Sequence, residues 1–577
     1  MRAVRMTALF FIAILVSLSL PPPLRAEEEG VILTVLGRVV SAQGRPVPEA
    51  KVRVFIAGEL YPLNFGAETA ADGSYLAELR LPHPLLEKIK KGGAELTLEV
   101  SKPAFRTVRR VIEKGNLKGE NNYFYAHTGN ITLLYAYNYA FFIATGTFLL
   151  VFALISFNVL HETIASFLGT ALMFGVTYAL GSFFPDFWII SFERSLEYIE
   201  FDTIFLLMGM MIFMAIMGQT GVFSWLAFKS YQVACGEAAL LAAILLLVTG
   251  LISAVLNNTT AMLLMVPLSV EIALMIGVHP FSLVFPEVLA SNIGGAATLI
   301  GDPPNTIIGT SVGLSFNQFL AHTAPVAFAM LAVLILVTRW IYRGEYRRER
   351  AAISPVLLER LERDAQITDF GLLRKSLLVF ASTMALFFLA DFFQMPPSVV
   401  AILGASVLLL WVRPSIGEIM KEVDWTTLVF FMTLFIMVGG VQEVGFIQAV
   451  ADSIRNLAGE NLLLATMLIL WFAGAASGVV ANIPLTAAIL PITTFLSENI
   501  PGAENNVLYW ALAIGACFGG NATYFAAAPN IVAVGILERA GYRPSFADFA
   551  KIGVLVTFVT LLLPAIWFII RYFWLKI

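Results

Sequence analysis

Residues 291–305 read Ser291-Asn292-Ile293-Gly294-Gly295-Ala296-Ala297-Thr298-Leu299-Ile300-Gly301-Asp302-Pro303-Pro304-Asn305, and 225 positions further on the chain returns to Gly519-Gly520-Asn521-Ala522-Thr523 and Pro529-Asn530. Both stretches interrupt apolar sequence with glycine pairs, prolines and amides, where a plain membrane helix would continue. A second match runs at an offset of 224: Ser253 to Asn258 with Pro267 against Ser477 to Asn482 with Pro491. Asp202-Thr203 pairs with Asp424-Trp425-Thr426, and Ser315-Phe316 with Ser545-Phe546. The chain therefore carries an internal repeat.

Of the 577 residues, 58% are hydrophobic and 13% charged, which is more apolar surface than a soluble fold of this size buries. Apolar stretches of about 18 residues or more, each able to cross a core of roughly 30 Å, recur from Tyr137 onward. Crossings are expected near 137–157, 163–184, 201–218, 283–310 and 323–342, then 376–394, 397–412, 425–441, 505–537 and 552–574. Stretches 238–276 and 462–497 are interrupted at Asn257-Asn258-Thr259-Thr260 and Ala481-Asn482-Ile483-Pro484. They read as re-entrant hairpins, since exposed backbone at membrane depth needs protein or a water-filled cavity around it.

Charge checks that count. Arg343, Arg347, Arg348, Arg350, Arg360, Arg363 and Arg374 mark the link as cytoplasmic, and five crossings from an outside start reach it with the right parity. The net charge of -4 excludes a polyanionic partner such as nucleic acid. Cys235 and Cys517 both lie in or beside apolar segments and leave the exported portion without an internal disulfide.

The N-terminus has the layout of a signal peptide: Arg2 and Arg5, an apolar run from Ala8 to Leu20, and Ala26 before the cleavage point. From Val31 to about Ile112 short alternating runs separated by Gln43-Gly44-Arg45-Pro46 and Asp72-Gly73-Ser74 read as a small antiparallel sandwich. Gly37-Arg38-Val39-Val40, Gly44-Arg45-Pro46-Val47, Ala50-Lys51-Val52 and Asp72-Gly73-Ser74-Tyr75 resemble the carboxypeptidase regulatory-like β-sandwich family, which implies a passive binding or spacer module. Asp72 and His83 read as turn or surface residues.

An odd number of crossings per copy inverts the second copy, so hairpin one opens to the cytoplasm and hairpin two to the exterior, with tips meeting near the midplane. The expected fold class is thus an all-α polytopic membrane protein, an inverted repeat of five crossings plus one re-entrant hairpin each, preceded by a small extracytoplasmic β-sandwich. The expected division is 1–26 signal peptide, 27–125 β-sandwich domain, 130–342 repeat 1, 343–375 basic cytoplasmic linker and 376–577 repeat 2.

Ser291-Asn292 through Pro304-Asn305, supported by Asn482-Ile483-Pro484 and Gly515-Ala516-Cys517-Phe518-Gly519-Gly520-Asn521, resembles the ion transporter superfamily. Within it the likeness is to the citrate-transporter-like branch with arsenite permeases, sodium/proton antiporters and P protein. The resemblance runs from about Thr163 to the end and implies that substrate and coupling ions sit at the hairpin tips and the two unwound helices. P-protein-like and antiporter members of the branch typically carry Asp-Asn at both tips. Here the tips are Asn257-Asn258 and Ala481-Asn482, so proton exchange through those aspartates is not implied.

The candidate substrate and ion ligands are Asn257, Asn258, Thr259, Gly295, Thr298, Asp302, Asn305, Asn482, Gly520, Asn521, Thr523 and Asn530, with Na⁺ at Asn258, Thr298, Asn305, Asn482 and Asn530. Gly294, Gly295, Gly519 and Gly520 let the backbone unwind or allow close helix packing. Asp302 is an ionisable group at membrane depth, or the N-cap of a helix beginning at Pro303. Glu271 and Glu287 read as interfacial or structural, and His161 and His322 as loop residues. With no Lys or Arg between Lys229 and Arg339 or between Arg455 and Arg539, an anion has to be held by helix N-termini, amides and bound Na⁺.

These observations point to a secondary active transporter of a small inorganic or organic ion or carboxylate, with Na⁺ or H⁺ as coupling ion and no other cofactor, and not to an enzyme. A sodium/proton or arsenite antiporter is the second reading; a membrane sensor with a ligand-binding β domain is a third, from another class. The expected location is a bacterial-type inner or plasma membrane, with the lipid bilayer as partner. The fold resembles ones that form a homodimer.

Overall fold

The computed structural model describes residues 30–575 apart from 42–43, 45, 103–104, 121–122, 158, 348–354 and 460. The expected signal peptide, the turn residues Gln43 and Arg45, and Arg348 and Arg350 lie outside the described residues. The chain divides between Asn138 and Tyr139 into two compact units.

In the first unit β1 (Gly30–Ser41), β2 (Lys51–Ile56), β3 (Glu59–Tyr61), β4 (Ser74–Pro82), β5 (Leu96–Ser101), β6 (Val108–Val111), β7 (Leu117–Glu120) and β8 (Tyr123–Leu133) form two sheets, with α1 (His83–Lys91) following β4. The orders are β4-β1-β8-β7 and β3-β2-β5-β6. Alternation decides which face is core: Val31, Leu33 and Val35 of β1 and Ala77, Leu79 and Leu81 of β4 are fully buried. Asp72 Oδ1 accepts from the Ser74 amide at 2.9 Å and its hydroxyl at 2.6 Å, which closes the turn into β4.

Two features differ from the sequence reading. β8 runs to Leu133, past residue 125, and it lies parallel to β1, with Ile32 opposite Tyr123 and Ser41 opposite Leu133. A parallel pair requires a long crossover instead of a tight turn. Here the crossover is nearly the whole unit, so no local turn signal announces it.

The second unit is helical. Its first part contains α2 (Tyr139–Ser156), α3 (Glu162–Val176), α4 (Phe201–Gly218), α5 (Val222–Val233), α6 (Ala238–Ser253), α7 (Asn258–Ile276), α8 (Phe281–Gly295), α9 (Pro303–Val312), α10 (Phe316–His322) and α11 (Ala324–Ile341). Its second contains α12 (Phe370–Leu389), α13 (Pro397–Val412), α14 (Trp425–Glu443), α15 (Phe446–Ala458), α16 (Leu462–Ser477), α17 (Asn482–Asn499), α18 (Val507–Gly519), α19 (Ala528–Arg539) and α20 (Phe546–Phe568). Among the described residues 8 helices are long and apolar enough to cross a membrane; α6, α13, α16 and α18 are shorter apolar helices.

The polar interruptions break helices where the sequence placed them. α6 and α7 part at residues 254–257, α16 and α17 at 478–481, α8 and α9 at 296–302, and α18 and α19 at 520–527. α5 and α15 begin 224 residues apart, at Val222 and Phe446, and extend the repeat by an element too short and too polar to register as a crossing. Packing between the copies is reciprocal: α7 lies on α19, and α17 on α9.

Gly294 and Gly519 serve close packing. A Cβ at Gly294 would meet the Gly250 carbonyl of α6, and one at Gly519 the Gly474 carbonyl of α16, so α8 and α18 touch the first arms of the hairpins backbone to backbone. Gly294→Ala is expected to lower stability by about 1–3 kcal/mol through overpacking. Gly146→Ala on α2, where a Cβ meets open space, should be near neutral. Thermal unfolding in detergent compares the two.

Candidate functional site

Half-helices α8 and α9 have 15 and 10 residues. At 1.5 Å per residue that is about 22 and 15 Å, so neither is long enough to cross a core of roughly 30 Å alone. α18 and α19, with 13 and 12 residues, behave the same way.

A broken helix in hydrocarbon leaves carbonyls without amide partners. Asn305 Nδ2 donates to the Thr298 carbonyl at 2.8 Å and the Gly295 carbonyl at 3.3 Å; Asn530 Nδ2 donates to the Thr523 carbonyl at 2.9 Å and the Gly520 carbonyl at 2.7 Å. Thr298 Oγ1 reaches the Ala254 carbonyl in the tip of hairpin one, and Thr523 Oγ1 the Gly478 carbonyl in the tip of hairpin two at 2.8 Å. In both copies the asparagine thus spans its own break, and the threonine ties that break to its hairpin.

The tips converge on Asp302. Asn258 Nδ2 donates to Asp302 Oδ1 at 3.0 Å, and Asn482 Nδ2 to Oδ2 at 3.4 Å. Asp302 stands at the N-cap position of α9 ahead of Pro303, yet its side chain caps nothing and serves the two amides instead. Asn257 is the cap of α7, accepting from the Thr259 amide at 2.9 Å and the Thr260 amide at 3.3 Å. Ala481, its counterpart, gives no side-chain cap to α17.

Sequence reasoning passed over two residues as ligands, Asn292 and Cys517, which occupy the same repeat position at the offset of 225. Each reaches into the other copy. Asn292 Nδ2 lies 2.9 Å from Asn530 Oδ1 and 2.9 Å from Asn521 Oδ1, and Cys517 Sγ lies 3.5 Å from Asn305 Oδ1. The aligned repeat was the signal available, since it puts both on apolar half-helices one position after a small residue.

Asn258, Asp302, Asn305, Asn482, Asn521, Asn530 and Thr298 are all buried, while Thr259 and Thr523 are half-buried. A Cβ at Gly295 would press on Asp302 Cβ at 3.1 Å, and one at Gly520 would lie 3.3 Å from Ala527 Cβ, so both glycines sit at the breaks facing the cluster. Helices α7, α9, α17 and α19 all begin here, which turns four positive dipole ends toward a site without Lys or Arg. Within it Asn292 Oδ1 and Asn521 Nδ2 lack hydrogen-bond partners among the described residues, one acceptor and one donor free to meet a ligand. Carboxylate and amide oxygens suit a hard cation such as Na⁺, and the amide donors suit an oxyanion.

Of the two alternatives for Glu287, interfacial or structural, burial removes the interfacial one, because α8 is enclosed by its neighbours, whereas Glu271 is exposed. His322 closes α10 and stacks on Trp510 with ring centroids 4.9 Å apart, so it is not a loop residue.

The family model described as citrate transporter matches residues 152–515, which takes in both hairpins and the first unwound helix. An uncharacterised transporter of Mycobacterium tuberculosis is 40% identical over 376 residues, 65% of this chain and 87% of that protein. The P protein of Homo sapiens is 31% identical over 487 residues, 71% of this chain and 57% of that protein. Among solved structures, the YdaH transporter of Alcanivorax borkumensis superposes with a TM-score of 0.51 at 14% identity, covering 71% of this chain and 98% of that one, a likeness of fold.

Asn292→Ala leaves two buried amide oxygens without their donor and is expected to cost about 1–3 kcal/mol. Cys517→Ala, which removes only a weak S–H donor, should cost clearly less. Thermal unfolding of the two purified variants tests the order.

Proposed function

The chain belongs to the citrate transporter family, and from that premise we propose that it is an ion-coupled secondary transporter of a small ion or carboxylate, working by alternating access. The single observation carrying this reading is that one buried carboxylate, Asp302, holds an asparagine from each hairpin tip.

With Asp302 ionised, Asn258 and Asn482 serve the protein's own anion, and an anionic substrate meets a negative site. Na⁺ or a proton taken up at the carboxylate removes that charge and releases both Nδ2 groups to donate to a substrate carboxylate, assisted by the four helix N-termini. Cation and anion then favour each other's binding, which is the coupling free energy a symporter needs. Asn292 Oδ1 and Asn521 Nδ2 supply further ligands, and Asn305, Asn530, Thr298 and Thr523 hold the breaks that carry them.

The reciprocal contacts of α7 with α19 and α17 with α9, and of Asn292 with Asn530 and Cys517 with Asn305, support a two-fold relation between the copies, which the odd crossing number of the sequence reading makes an inverted one. Movement of the hairpins with their tied breaks against the remaining helices would open the buried cluster to each side in turn. The positive-inside count supports an orientation with the β domain outside, and a bacterial-type inner or plasma membrane is part of the same proposal. A homodimer is part of the same reading.

In proteoliposomes, uptake of labelled citrate under a Na⁺ or pH gradient is expected to fall by at least about tenfold, or about 1.4 kcal/mol, in Asn258→Ala and in Asn482→Ala, with expression intact. Normal uptake by both variants refutes the site. Asp302→Asn is expected to remove the dependence on the cation gradient. Collapse of a pH gradient by added Na⁺, without citrate uptake, would favour the antiporter reading. Removing residues 27–138 should leave transport in place; its loss would favour a sensor.

A further inference from the structure

Among the described residues of the helical unit Glu287 is the other fully buried carboxyl group, and the mechanism above does not use it. It lies fully buried on α8 between the two arms of hairpin one. Thr249 Oγ1 of α6 is 3.4 Å from its Oε2, and Ser269 of α7 lies beside it. Glu287 Oε1 and Ser269 Oγ both lack a partner that meets hydrogen-bond geometry among the described residues.

Among the described residues no cationic side chain pairs with it. α6 carries no ionisable residue. Glu271 of α7, Arg339 of α11, and Glu538 and Arg539 of α19 are exposed. Tyr509 of α18 is buried, and Cys517 is engaged with Asn305. The remaining titratable neighbour is Tyr346, whose hydroxyl donates to the Ser282 carbonyl at 2.7 Å in the first turn of α8. An ionised carboxylate enclosed this way is strongly disfavoured unless something cationic joins it.

The chemistry around it selects the cation. One carboxyl group and two hydroxyls supply fewer oxygens than a hard metal ion needs in place of its water, whereas a proton needs one oxygen. The position is also joined to the tip cluster. Thr249 and Ser253 are one turn apart on α6, Glu287 and Ser291 one turn apart on α8, and Ser253 Oγ lies 2.9 Å from Ser291 Oγ. The Ser253 carbonyl in turn abuts Gly301, next to Asp302. In the second copy the position of Glu287 holds Leu512, fully buried, so the repeat has no packing requirement for a carboxyl group here.

We infer that Glu287 is a proton-binding site of the transport cycle, separate from the ligand cluster at Asp302. The proton comes from water when the α6–α8 seam is open to one side, forms the O–H bond on the Glu287 carboxyl, and returns to water when the seam opens to the other. A charge gained or lost at Glu287 acts on the same seam that carries Gly301 and Asp302. The inference rests on the transporter reading above, but its test uses no substrate, so failure to find citrate uptake leaves the test intact.

Infrared difference spectroscopy of the full-length protein in lipid, without substrate, reads the carbonyl stretch of protonated carboxyl groups. The expected result is a band that shifts in D₂O, disappears as pH is raised, is lost completely in Glu287→Gln and persists in Asp302→Asn. Should Glu287→Gln fail to fold, Thr249→Val removes the hydrogen bond to Oε2 and is expected to move the same band without abolishing it. Absence of a protonated-carboxyl band, persistence of the band in Glu287→Gln, an unmoved band in Thr249→Val, or a Glu287 band indifferent to both pH and D₂O would overturn the proposal.

Discussion

A helix that stops inside a bilayer exposes carbonyl groups that lipid cannot satisfy, and this requirement organises the whole helical unit. Asn305 and Asn530 meet it with one amide group each, which spans two carbonyls of its own break. The threonines at positions 298 and 523 then tie each break to a hairpin tip. Without those four side chains, two interrupted helices in hydrocarbon would be costly; with them, the interruptions become rigid, and polar atoms can be presented at membrane depth.

On that symmetric frame the chemistry is one-sided. Among the described residues of the helical unit the fully buried carboxyl groups, Asp302 and Glu287, belong to the first copy, and their counterparts in the second are Ala527 and Leu512. The frame needs both copies, but charge is concentrated in one. A single carboxylate reached by an asparagine from each tip can report to both hairpins at once. Two equivalent carboxylates would repel each other across a buried cluster that contains no Lys or Arg.

Much of this was legible in the linear chain. Glycine, proline and asparagine inside apolar runs have few uses other than breaking a helix, so the hairpin tips at Asn257-Asn258 and Ala481-Asn482 and the breaks after Gly295 and Gly520 stood out. The repeat confirmed them by occurring twice. Less visible were α5 and α15, whose mixed polarity resembles a loop, and the parallel β1–β8 pair, which depends on strands ninety positions apart in the chain.

Local pattern accounts for where the helices break, because backbone conformation at Gly, Pro and Asn depends on the residue and its immediate neighbours. It could not tell that the Asp302 side chain, at the N-cap position, caps nothing and accepts from Asn258 and Asn482, that Asn292 and Cys517 reach into the opposite copy, or that Glu287 is fully buried. Each of these is a contact between segments distant in sequence, and partnership of that kind exists only once the helices have packed, since burial and hydrogen-bond geometry are properties of the assembled volume and not of any stretch of chain.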